Sequence, residues 1–126
     1  MKLRITTEDV AQKILNDVPR YREFYFFDDI GRYSGTYANN LIVFSNKLRN
    51  INKTCFNFHF KRGDFEKWIR TTVGDRYLAD QIAKINDSVD EDELLLKVYQ
   101  IVEKRLNELK QLLANEEPYI MHDDDL

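Results

Sequence analysis

The two histidines of this 126-residue chain stand in very different company. His59 lies in FNFHFKR (56–62), where phenylalanine recurs at every second position and a Lys-Arg pair closes the run. His122 lies in HDDD (122–125), a cluster that would hold a divalent cation only loosely and makes no defined metal site. Cys55 is alone, which excludes an internal disulfide and suits a small buried filler better than a nucleophile. No Cys/His spacing fits zinc, no glycine-rich phosphate loop occurs, and no Ser occupies a nucleophile elbow. Asp28 and Asp29 precede Gly31, where Asp serves turn chemistry. The tripeptide RGD (62–64) has plain local duties: Gly63 turns the chain and Asp64 caps a helix. These residues predict a protein that is not an enzyme and takes neither cofactor nor metal.

Binding chemistry is better represented. Residues 1–70 carry 13 Lys/Arg against 8 Asp/Glu, a balance of +5, while residues 71–126 carry 6 against 14, a balance of −8. Thirteen of the 16 aromatics also fall in the first 70 residues. Positive charge and stacking surface therefore coincide, as they do in proteins that hold single-stranded nucleic acid. The competing reading is that the rings build a core and solvated charges surround it. A hydrophobic content of 43% excludes a disordered chain. No stretch approaches the ~20 apolar residues of a membrane span. The N-terminal MKLRITTEDVAQ lacks the apolar run of a signal peptide. A soluble, cytoplasmic protein with no membrane partner is expected.

The elements that must position these side chains can be read from their punctuation. ITTEDVAQKILNDV reads as a helix capped by Thr6 or Thr7 and ended by Pro19. YREFYFF (21–27) and GRYSGTY (31–37) read as a β-hairpin across DDIG. Asn39 or Asn40 opens a second helix that runs to Asn50. TCFNFHFK (54–61) alternates strictly and reads as a third strand, with Phe56, Phe58 and Phe60 on its buried face. Asp64 then caps a short helix in which Trp68 anchors the core. Gly74 stops it, and Asp75 caps the next. The last helix starts near Asp90, runs to about Asn115 and stops before Pro118. Its Leu95, Tyr99, Val102, Leu106, Leu109 and Leu113 are spaced 4, 3, 4, 3, 4, a heptad seam. A wider apolar stripe in its first half would dock it on the parent domain. Its second half would then pair two or more subunits. The domain reading is an α+β core with an aromatic and basic cleft over 1–88, a docking and oligomerisation helix over 89–116, and an acidic tail over 117–126.

The face argument yields a candidate site. If the three Phe of the third strand are buried, Asn57, His59 and Lys61 face outward. In the first strand Phe24 and Phe26 form one face, and Tyr21, Glu23, Tyr25 and Phe27 the other. The second strand adds Tyr33 and Tyr37. An open sheet face with Tyr25, Phe27, Tyr33, Asn57 and His59, bordered by Arg22, Arg32, Lys61, Arg62, Lys67 and Arg70, would stack bases and hold phosphates.

The run FHFKRGDFEKWI, with EFYFFDDIGRYSGTYANNL before it, resembles an archaeal domain family with an FH-x-x-RGDFE-x-W-like core. It is similar in particular to the ThermoDBP group of archaeal single-stranded DNA-binding proteins and their relatives. The resemblance covers roughly residues 20–85. It implies a small antiparallel sheet of about four strands cradled by helices, unlike an OB-fold, a hydrophobic and basic cleft for single strands, and helix-mediated self-association. Three strands are visible in the sequence; KLRI (2–5) or part of 34–43 could supply a fourth.

The expectation is thus an α+β protein with three to four strands that binds single-stranded DNA or RNA without sequence preference, as an oligomer. The alternatives are a protein-interaction or oligomerisation module, and a small-ligand regulatory domain.

Overall fold

Thr6 opens the first helix, α1 (Thr7–Leu15), with a reciprocal capping box: its hydroxyl accepts from Asp9 N–H, and the Asp9 carboxylate accepts from Thr6 N–H. The computed structural model describes residues 6–86 and 89–124, with side chains to residue 114. Strands β1 (Phe24–Asp29) and β2 (Arg32–Ala38) follow as an antiparallel hairpin whose turn rests on Gly31 at φ +73°. Asn40 caps α2 (Leu41–Arg49) through Val43 N–H. Then come α3 (Lys53–Arg62), the short α4 (Asp64–Trp68), a π-helical turn over Ile69–Val73, α5 (Arg76–Ala83) and the long α6 (Glu91–Asp124). The chain is α+β.

Two expectations about the sheet are corrected. The stretch 54–61 is not a strand but most of α3. Phenylalanines at 56, 58 and 60 fit a strand face, but 56 and 60 are also four apart, the spacing of neighbours on a helix. Phe56 and Phe60 stack at 5.6 Å and 17°, and the Arg62 guanidinium lies 4.8 Å over Phe58. Asn52 caps the N-terminus through Cys55 N–H at 2.8 Å, and Gly63 at φ +74° closes the C-terminus. With both ends signalled, the helix wins. Consequently the sheet has two strands among the described residues, not three or four. KLRI (2–5) lies outside the described residues. Asp64 is the first residue of α4 and not its side-chain cap.

The inner face of the hairpin and the helices close one aromatic core. Phe24 touches Phe26, Phe44, Phe65 and Trp68 at 4.8–5.6 Å between ring centres, mostly edge to face. Beneath this lies α6, whose Leu94, Val98, Val102, Leu106 and Leu109 are buried against α1, α2, α3 and α5. This corrects the expected zipper. Val102, Leu106 and Leu109 are each 2% exposed or less, and Leu95, Tyr99 and Leu113 pack against the same core. The seam is occupied within the chain. Arg105, which interrupts the apolar stripe, reaches Asp75 with Nε–Oδ2 at 2.7 Å and Nη2–Oδ1 at 3.1 Å. Asp75 also accepts from Leu78 N–H, so one buried carboxylate caps α5 and fastens it to α6. The α6 backbone continues past Asn115 and Pro118. The tail side chains, His122 and its aspartates included, lie outside the described residues.

Candidate functional site

Alternation along β1 sorts its rings as the sequence implies. Phe24 and Phe26 point into the core, while Tyr25 and Phe27 point the other way. Register then brings β2 alongside: Tyr25 lies opposite Tyr37, and Phe27 opposite Tyr33. Ring centres are 5.9 Å apart for Tyr25–Tyr33 and Tyr25–Tyr37, and 5.5 Å for Phe27–Tyr33. Tyr25, Tyr33 and Tyr37 are 38, 45 and 49% exposed, which makes them a contiguous aromatic surface in contact with solvent. The Tyr25 hydroxyl donates to Glu23 Oε1 at 2.9 Å. That bond raises the Tyr25 pKa. The Glu23 carboxyl is held below its usual value, first by a backbone N–H and then by the same hydroxyl.

Beside this surface a groove of about 510 Å³ runs between β1 and the α3–α4 corner. Phe27, Phe58 and Trp68 supply its apolar lining, and Arg62 and Lys67 its cations. Trp68 is fixed from behind, its Nε1–H donating to the Arg22 carbonyl at 2.8 Å. Arg62 lies over Phe58 and pairs with Asp64 Oδ2 at 3.2 Å. Lys67 is exposed and has no ion pair among the described residues.

His59 lies beneath this groove, 3% exposed. Its Nε2 accepts from Phe27 N–H at 2.8 Å, so Nδ1 carries the proton and donates to Asp64 Oδ2 at 2.9 Å. Burial lowers its pKa and outweighs the opposing pull of Asp64. This neutral imidazole rivets α3 to β1.

The expected site residues therefore divide. Tyr25, Phe27 and Tyr33 are brought together, and Tyr37 joins them. Arg62 and Lys67 line the adjoining groove, while Arg22 and Arg32 are exposed and unpaired among the described residues. His59 is corrected from a surface residue to a buried one. Asn57 and Lys61 share the next stripe of α3 and do not line the groove. Arg70 is committed to Glu66 and Asp80, both at 2.9 Å, and is not a free phosphate ligand. Phe58 and Trp68, expected in the core, line the groove as well. Their helical spacing to Arg62 and Phe65 was the available signal.

Cys55 is buried with its thiol pushed up to about 11, chiefly by burial and then by Asp28, so it makes no nucleophile. Asp28 is an extra residue in β1 between the Phe27–Tyr33 and Asp29–Arg32 pairs, and its Oδ1 is buried without a partner among the described residues. No group of His, Cys, Asp and Glu among the described residues could hold a metal ion, and none of their helices is long and apolar enough to cross a membrane. No family model, no curated protein and no solved structure matches the chain.

Proposed function

We propose that this protein binds single-stranded nucleic acid without sequence preference and without catalysis. The observation that carries the reading is the solvent-facing set Tyr25, Tyr33 and Tyr37, three rings within 6 Å of a neighbour on the hairpin's outer face. Bases stack on such rings for about 1–3 kcal/mol each, whatever their identity. Arg62 and Lys67 in the adjoining groove, with Arg22 just before β1 and Arg32 at the start of β2, supply phosphate contacts. The surplus of +5 over residues 1–70 favours a polyanion on this part of the chain. The resemblance of FHFKRGDFEKWI to ThermoDBP-type archaeal proteins points the same way.

The test is fluorescence anisotropy of labelled oligo-dT at two salt concentrations, with a duplex of equal length as control. Tight binding to the single strand that weakens with salt is expected. No binding at low salt, or equal binding to duplex, rejects the reading.

A further inference from the structure

The hairpin is a sheet with two edges, and only one of them is closed. Along β1, helix α3 packs against the strand, and Phe27 N–H is taken by His59 Nε2. Along β2 no described backbone group bonds outside the hairpin; Thr36 N–H leans toward Ser34 Oγ of the same strand at 3.4 Å. A strand edge with unpaired N–H and C=O groups is a template for another extended chain. Beside this edge run two adjoining hollows of about 510 and 330 Å³ that share Thr36, Val43 and Lys47. Their far wall is α2, where Val43, Asn46 and Lys47 fall at i, i+3 and i+4 on one helical face, with the C-cap Asn50 just beyond.

The chemistry of the walls selects an occupant. Phe26, Val43, Ile51 and Cys55 offer an apolar floor. The Asn46 and Asn50 side chains have no hydrogen-bond partner among the described residues, and Lys47 has no ion pair there. Neither hollow has an acidic residue in its lining. We infer that the β2–α2 groove takes an extended acidic peptide segment of a partner protein, which adds to β2 as a third strand. Its backbone would pair with the open edge, alternate apolar side chains would meet the floor, and a carboxylate would meet Lys47. This surface borders the tyrosine face only at Tyr37, which lines the smaller hollow, and it does not depend on nucleic-acid binding.

The test uses the full chain against a display library of random peptides of roughly six residues, the length of an ordinary strand. Selected peptides are expected to alternate apolar and acidic residues. A labelled selected peptide should slow amide exchange over 34–38. Lys47→Glu should weaken it by about fivefold, the scale of one solvent-exposed ion pair. Lys67→Glu, in the other groove, serves as the control and should leave peptide binding unchanged. No enrichment, selection of basic peptides, protection elsewhere, or equal binding by Lys47→Glu overturns the inference. Slowed exchange over 34–38 that grows with protein concentration in the absence of peptide would mean a second copy covers the edge, and would overturn it too.

Discussion

At the scale of single residues, His59 fixes a pH dependence. Its Nε2 faces a backbone N–H, so a second ring proton would set donor against donor. The folded-state pKa is accordingly lowered, with burial the main cause. The unfolded chain then binds a proton near the ordinary histidine value, about 6.5, that the folded chain refuses. Stability from neutral His59 is complete above that value and is lost as pH falls below it. Thermal melts at about pH 7 and pH 5.5 should show a larger drop for the wild type than for His59→Asn. Equal drops would show that another group carries the acid sensitivity. The tyrosines act at the same scale. Tyr25→Ala, Tyr33→Ala or Tyr37→Ala should each cost about 1–3 kcal/mol in oligo-dT binding, with little loss of fold because the rings are solvent-facing. Wild-type affinity in all three would remove the stacking surface. These tyrosines were legible in the sequence because alternation sorts a hairpin's faces. His59 was not, because its partner Phe27 N–H lies 32 residues away and no local pattern announces it.

Elements are decided by their ends. α3 has alternating phenylalanines that satisfy both periods, so the interior of FNFHFKR does not choose between strand and helix. The choice comes from Asn52 at one end and Gly63 at the other. Both are present in the sequence, but after an alternating run Gly63 fits a turn that follows a strand equally well. Where caps mark a start, at Thr6 or Thr7, Asn39 or Asn40, and Asp75, the helices begin within a residue of the signal, although α1 ends at Leu15, short of the expected stop at Pro19. Gly63 therefore matters for its backbone alone. Open space surrounds its Cα on the side where a Cβ would project, so Gly63→Ala meets no clash and pays only for φ +74°. A loss of about 1 kcal/mol in urea unfolding is expected. A neutral result would mean that α3 ends without a left-handed residue.

For the whole molecule, the deciding feature is what α6 packs against. A heptad seam read from sequence states that one apolar stripe must be covered; it does not say by which chain. Here α1, α2, α3 and α5 cover it, and Arg105 turns from a flaw in a zipper into the clasp on Asp75. The sequence could not show this, because it depends on four helices arriving at one side of a fifth. The consequence can be measured. Leu106 is 2% exposed inside the chain's own core, so Leu106→Ala leaves a cavity in each molecule. Its cost should be about 2–5 kcal/mol. The melting temperature of both wild type and variant should stay fixed as protein concentration is varied, since mass action moves it only when folding is linked to association. A melting temperature that climbs with concentration in the wild type, and ceases to climb in Leu106→Ala, would return the seam to a second subunit and undo the packing described for α6.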